Sequence, residues 1–129
     1  MPKPTADHIR SVFHRYFAAF EKNDLDGIVA LFAPDAVVED PVGTPPHVGS
    51  AAIRKFFAAG FVATNNNMKM AADGAVRVTE SGVGACAVIC TVPDMKSQVE
   101  TLDVMTFTDE GLIKTMHAYF GPTNYRPLA

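Results

Sequence analysis

The first part of the chain carries apolar residues at the spacing of amphipathic helices. After Thr5, the expected N-cap, apolar side chains recur three and four positions apart as far as Phe20, with polar residues mostly between them. The shorter run DLDGIVALFA, residues 24–33, continues the pattern and stops before Pro34. We therefore predict two helices here, the second of which ends at the proline.

A short extended segment and a third helix are predicted next. The stretch AVVED, residues 36–40, is typical of a strand, and residues 41–49 form a turn-rich loop with three prolines and two glycines. Ser50 is expected to cap a helix over residues 51–61. The polar run TNNN, residues 64–67, then ends the helical half of the chain.

The second half of the chain changes to patterns that are typical of strands. Strand character appears at residues 74–80, and residues 83–92 are apolar almost without interruption, as in a buried central strand. Residues 98–108 alternate, and a hairpin turn at residues 109–111 leads to a last strand over residues 112–121.

Helices followed by strands indicate the α+β class. We expect one domain over residues 1–129, with tails at 1–4 and 122–129, in which three N-terminal helices pack on a curved, mostly antiparallel sheet. Such a sheet, closed on one face by helices, leaves a conical cavity, which is a usual place for a small-molecule site.

Composition and charge exclude several functions. The net charge of −3 gives no basic surface for nucleic acid or an anionic membrane, and no apolar run approaches the roughly 20 residues that cross a bilayer. The N-terminus has no signal-peptide pattern, so we expect a cytoplasmic protein. Cys86 and Cys90, about 13 Å apart on one strand, are expected to be reduced thiols and not metal ligands.

Three polar residues have apolar neighbours in the sequence. Asp103 lies between Leu102 and Val104 in the alternating strand, Tyr16 lies on the apolar side of the first helix, and Asp40 ends the AVVED segment. Each has an ordinary explanation: an aspartate on an edge strand, a core tyrosine with its hydroxyl at the rim, and an aspartate that starts a turn. A buried carboxyl, however, needs a partner or a proton.

The three residues gain significance together, because of the sequences around them. Residues 15–43, RYFAAFEKNDLDGIVALFAPDAVVEDPVG, strongly resemble the Δ5-3-ketosteroid isomerases of the nuclear-transport-factor-2-like (NTF2-like) superfamily. The resemblance resumes at GSAAIRKFF (49–57), LDVMTF (102–107) and MHAYFG (116–121), and is weakest across residues 60–98.

The resemblance implies a cone-like NTF2-like fold and a specific chemistry. It assigns the catalytic roles to Tyr16, Asp40 and Asp103, with Asp40 as the base and the other two, Asp103 in protonated form, as donors to a dienolate oxygen. It also implies a 3-oxo steroid substrate, a homodimer, and no metal or organic cofactor.

The resemblance also gives an expected cavity wall and two departures from the family pattern. The expected wall residues are Phe57, Cys86, Val88, Cys90, Val99, Thr101, Met116, Ala118 and Phe120. Some family members have tyrosines that hydrogen-bond the catalytic tyrosine, where this chain has Phe32 and Phe57. Phe120, unlike a tryptophan at that position, has no hydrogen bond to offer Asp40.

Two other functions remain open from the sequence. One is a cyclase-like enzyme or an isomerase of the same fold that acts on another small ligand. The other is a binding protein without turnover, since one fold serves many functions. A carrier has no need of a base opposite two donors, so the three polar residues favour an enzyme.

Overall fold

The first helix begins where the sequence predicts it. In the computed structural model, which describes residues 3–128, α1 spans Ala6–Glu21, and the Thr5 hydroxyl accepts a hydrogen bond from the backbone N–H of His8 (3.1 Å). This bond satisfies one of the free donors at the helix start. The apolar side of α1, which includes Tyr16, is buried against the sheet.

The described residues form three α-helices and one eight-stranded sheet. The other helices are α2 (Leu25–Val29) and α3 (Ser50–Ala63), and the strands are β1 (Phe32–Glu39), β2 (His47–Val48), β3 (Lys69–Ala72), β4 (Arg77–Val78), β5 (Gly84–Val92), β6 (Ser97–Phe107), β7 (Ile113–Tyr119) and β8 (Tyr125–Pro127). The strand order is β2-β1-β7-β6-β5-β3, with β4 paired to β5 and β8 to β6. Only β1 and β7 pair in parallel among these strands, so the predicted α+β class with a mostly antiparallel sheet is confirmed.

The second helix is shorter than predicted. It ends at Val29, and Phe32 already pairs with Ile113 of β7. The backbone N–H of Ile113 donates to the carbonyl of Leu31 (2.8 Å), so pairing with the sheet replaces the helical hydrogen bonds that the pattern predicts. Pro34 lies inside β1, in an exposed stretch where the pairing with β7 is irregular and its missing N–H is tolerated.

The start of α3 also differs from the prediction. Ser50 is the first helical residue, and Gly49 occupies the N-cap position without a side-chain cap. The backbone at Gly49 has φ +86°, a conformation that glycine adopts without the steric penalty of a Cβ atom.

The expected tail at 122–129 is largely part of the sheet. Tyr125–Pro127 pair with β6, and the backbone N–H of Leu128 donates to the carbonyl of Lys96 (2.8 Å). Ala129, like Met1 and Pro2 of the expected N-terminal tail, lies outside the described residues.

The strand predicted at 74–80 is reduced to Arg77–Val78. Among the described residues, no helix has the length and apolar character that crossing a membrane requires.

Candidate active site

One row across the concave face of the sheet carries both aspartates. Asp103 of β6 lies opposite Ala118 of β7, and Val38 and Glu39 of β1 lie beside Met116 and His117. The same register, continued by one residue, brings Asp40 beside Ala118. The backbone N–H of Val42 donates to the Ala118 carbonyl (2.8 Å), which fixes this end of β1. The two aspartates are thus separated by two strand spacings, about 10 Å between Cα atoms.

A single cavity between the helices and the sheet joins the three predicted catalytic residues. Its volume is about 380 Å³, and Tyr16, Asp40 and Asp103 all line it. Apart from the residues discussed below, its wall includes Phe20, Phe56, Met68, Met70, Val92, Met95 and Tyr125. A few convergent polar groups in an apolar cavity are typical of a small-molecule site.

Asp103 is the more enclosed of the two carboxyls. It is 4% exposed, and the Thr101 hydroxyl donates a hydrogen bond to its Oδ1 atom (3.2 Å). Burial and, secondly, the charge of Asp40 raise the pKa of Asp103 to about 7, although the Thr101 hydrogen bond acts in the opposite direction. Asp103 is therefore mainly neutral between pH 3.8 and about 7, where an exposed aspartate is already ionised.

Asp40 is partly exposed and lies at the junction of β1 with a loop. Burial raises the pKa of Asp40 to about 6, so its carboxyl is mainly ionised at neutral pH. No protein group among residues 3–128 hydrogen-bonds this carboxyl, and none of their fully buried side-chain polar atoms lacks a partner. The carboxylate is therefore accessible, and Asp40 lines the cavity, where it is available to a ligand. The peptide bond between Asp40 and Pro41 is cis.

Tyr16 presents a free hydroxyl group. Burial and the charges of Asp103 and Asp40 raise the pKa of Tyr16 well above its ordinary value, so the hydroxyl stays protonated and able to donate. Within the described part of the chain, no side chain bonds this hydroxyl, which by the same reasoning reaches the cavity. Its ring packs edge-to-face against Phe57 (centroids 6.0 Å apart), and Phe57 contacts Phe32 (5.8 Å). Aromatic packing thus occupies the places where some family members have hydroxyl groups.

The cavity wall agrees only in part with the prediction. Phe57, Cys90, Val99, Thr101, Ala118 and Phe120 line the cavity. Cys86, Val88 and Met116 do not; they lie on the same face of the sheet but are fully buried in the core. The reason is the close approach of α1, since a Cβ atom at Gly84 would lie 2.7 Å from atoms of Ile9 and Phe13. No space for a ligand remains at that end of the sheet.

Sequence reasoning missed several cavity residues. Met68, Met70 and Tyr125 are not among the expected wall residues, yet all three line the cavity, and Tyr125 packs on Phe120 there (centroids 6.1 Å apart). Their apolar character was a signal, but only the pairing of β8 with β6 places Tyr125 there.

Burial also raises the pKa of Cys90 to about 12, so this cavity thiol is a poor nucleophile. Residues 3–128 contain no group of three His, Cys, Asp or Glu side chains arranged to hold a metal ion.

The sequence is similar to those of known enzymes. The chain is 33% identical over 114 residues to "Steroid Delta-isomerase" of Nocardioides simplex, covering 88% of this chain and 90% of that protein. It is 28% identical over 118 residues to "Epoxide hydrolase LasB" of Streptomyces lasalocidi, of whose length the match spans 42%.

The fold has a similar solved structure. SalBIII, described as an epoxide hydrolase/cyclase-like enzyme with a role in pyran ring formation in polyether salinomycin, superposes with a TM-score of 0.84 and 26% identity, over 94% of this chain and 96% of that one. The profile of the SnoaL-like domain matches residues 13–116. The chain therefore belongs to the SnoaL-like family of the NTF2-like fold and is related within it to a steroid Δ-isomerase.

Proposed function

We propose that this protein is a steroid Δ-isomerase that moves the Δ5 double bond of 3-oxo steroids to Δ4. The observation that carries the proposal is the convergence of two unlike carboxyls and a tyrosine on one apolar cavity. Asp40 is mainly ionised at neutral pH, Asp103 keeps its proton to a higher pH than Asp40, and Tyr16 is held protonated. Groups whose environments separate their protonation states are suited to opposite roles in proton transfer.

In the proposed mechanism Asp40 carries the proton. Its carboxylate removes a proton from the carbon between the ketone and the alkene, and the electron pair moves into the carbonyl to give a dienolate. The carboxyl then returns the same proton two carbons further along, which forms the conjugated enone. One proton moves within the substrate, so atoms and electrons balance without a co-reactant.

The dienolate oxygen requires stabilisation by donors that are already in place. Tyr16 and protonated Asp103 supply two, from α1 and β6 respectively, and Asp103 lies two strands away from Asp40 in the row. Donors that need no reorganisation during the reaction contribute strongly, and removal of one such donor in other enzymes costs on the order of 10²–10³ in kcat.

A second candidate function uses the same acids. Two relatives are named as an epoxide hydrolase and an epoxide hydrolase/cyclase-like enzyme. A protonated Asp103 that donates to an epoxide oxygen, together with Asp40 accepting a proton from an attacking hydroxyl, would open an epoxide. Tyr16 as a second donor to one oxygen favours a carbonyl, whose oxygen becomes fully anionic in the reaction.

The decisive experiment follows the absorbance of the conjugated enone after the protein is mixed with 5-androstene-3,17-dione. We expect turnover by the wild type and its loss in Asp40→Asn. A wild type that leaves the steroid unchanged but opens a hydroxy-epoxide, with loss of that reaction in the same variant, would establish the second candidate. Inactivity on both substrates, with steroid binding retained, would support a carrier.

The proposed assembly is a homodimer, as the family resemblance implies. The convex face of β5, β6 and β7 carries a patch of apolar side chains at Ala87, Ile89, Leu102, Val104 and Tyr119. Leu102 and Tyr119 are 43% and 47% exposed in the single chain, which is unusual for a central part of a sheet. Light scattering after gel filtration should give twice the chain mass, and Leu102→Lys should give a monomer.

A further inference from the structure

Thr101 is the one side chain among the described residues that hydrogen-bonds either cavity carboxyl. It precedes Asp103 by two residues on β6, so both side chains point to the concave face. The Thr101 hydroxyl lies 3.2 Å from Oδ1 of Asp103, and both residues line the cavity. Thr101 thus touches the carboxyl and the ligand space at the same time.

The hydrogen bond distinguishes the two oxygens of Asp103. The torsion that rotates a carboxyl group has a broad minimum, so an unpartnered carboxyl takes many orientations. A donor at Oδ1 restricts this rotation and leaves Oδ2 as the oxygen that carries the proton. A donor works in an oxyanion hole only when its proton points to the place where charge develops.

We infer that Thr101 is a positioning residue, which orients the carboxyl of Asp103 so that Oδ2 presents the acid proton to the oxygen of the ligand. The ligand class is a carbonyl compound whose oxygen becomes anionic, so the inference rests on the proposed function. Thr101 need not touch the ligand to act in this way. The role differs from that of a wall residue, which affects binding alone.

The same hydrogen bond has an electrostatic consequence. A hydrogen-bond donor to a carboxylate favours its ionised form and so lowers the pKa of the carboxyl. The other ionisable groups that face Asp103 are Tyr16 of α1, Asp40 after β1, and Cys86 and Cys90 of β5. Asp40 raises the pKa of Asp103, and the thiols and the phenol are neutral near pH 7. Loss of the Thr101 donor is therefore expected to make Asp103 retain its proton to higher pH.

The test compares Thr101→Val, which keeps the shape and removes the donor, with Thr101→Ser, which keeps the donor. Thr91→Val, on the opposite face of the neighbouring strand β5, is the matched control. Carbon-13 NMR of labelled aspartate carboxyls, assigned with Asp103→Asn, reports the titration of Asp103 without any substrate. Isomerisation rates between pH 5 and 9 report the function.

In Thr101→Val we expect Asp103 to titrate about one pH unit higher, since a hydrogen bond to a charged group changes the equilibrium on the order of tenfold. We expect kcat to fall about tenfold, with the alkaline limb of the rate profile moved in the same direction. Thr101→Ser and Thr91→Val should stay within about twofold of the wild type. Thr101→Ala removes the same donor and replaces the valine variant if that protein does not fold.

An unchanged Asp103 titration in Thr101→Val would overturn the inference, as would a change confined to KM, because Thr101 would then be a wall residue. The substrate-free titration separates this result from failure of the proposed function. A shifted titration in a protein that does not isomerise steroids would leave the positioning of Asp103 established and refute only the reaction.

Discussion

Asp40 and Asp103 face one cavity from the same row of the sheet, but they are supported in different ways. Asp103 lies in the middle of β6, is almost fully buried, and has a side-chain partner in Thr101. Asp40 lies where β1 ends, is partly exposed, and is held only through the backbone around it. The strand end also leaves one side of its carboxyl open.

The difference matches the two roles in the proposed reaction. A base that collects a proton at one carbon and returns it at another needs a free carboxylate, whereas a donor to an anion needs a fixed direction and a retained proton. Position in the sheet thus separates two chemically identical side chains. The predictions below test that separation, from the largest expected effect to the smallest.

The largest effect is expected from Asp40→Asn. The amide keeps the size of the side chain but accepts no proton, so kcat should fall by about 10²–10⁴, the usual contribution of general acid–base catalysis. Steroid binding should remain, because the cavity wall is unchanged. Stopped-flow assays and fluorescence titration with a phenolic steroid measure the two effects. Turnover like that of the wild type would remove Asp40 from the mechanism.

Asp103→Asn should change the stability of the protein in a pH-dependent way. The folded pKa of about 7 lies above the ordinary value of 3.8, so the stability that the protonated carboxyl contributes is fully present below pH 3.8 and is lost as the pH rises through 7. At about 1.4 kcal/mol per pH unit, the ionisable group costs roughly 4 kcal/mol at pH 8. The neutral amide avoids this cost.

Urea unfolding of both proteins at pH 4 and pH 8 checks this prediction. We expect similar free energies of unfolding at pH 4 and a more stable variant at pH 8, together with reduced activity. Protein concentrations must match, because the stability of a dimer depends on concentration. A variant that is less stable at pH 8, with the gap closing in acid, would show that Asp103 is an ionised structural carboxylate and would end the contrast with Asp40.

Both aspartates that the sequence analysis selected line the cavity, whereas part of the expected wall does not. Periodicity alone placed Asp103 on an apolar strand, and the family resemblance selected Tyr16 and Asp40. The position of the cavity along the sheet was not predictable, because it depends on how closely α1 approaches β5, which excludes Cys86 and Met116 from the wall. The pairing of Tyr125–Pro127 with β6 is likewise a long-range contact without a local pattern.

A smaller effect is expected from Glu39→Gln, which tests whether the loop holds Asp40. The backbone N–H of Gly43 donates to Oε1 of Glu39 (2.9 Å), and Oε2 lies 3.6 Å from Nε2 of His117. The neutral amide weakens these contacts on the convex side, so we expect kcat to fall by about threefold to tenfold, the value of one hydrogen bond. The Asp103 titration should not move. A moved titration would show that the two carboxyls share one support.

The smallest effect is expected from Phe57→Tyr, which tests the donor side alone. Tyr16 has no hydrogen-bond partner among residues 3–128, and the Phe57 ring lies 6.0 Å from its ring at the cavity wall. A hydroxyl at position 57 that donates to Tyr16 would lower the pKa of Tyr16 and strengthen it as a donor. We expect kcat to rise by about two- to fivefold, within the range of one hydrogen bond, while KM stays constant. Phe61→Tyr, which adds the same hydroxyl to another α3 ring that does not line the cavity, is the control and should leave kcat unchanged. If Phe57→Tyr lowers stability without raising kcat, the new hydroxyl has found no partner, and the donor side does not limit the rate.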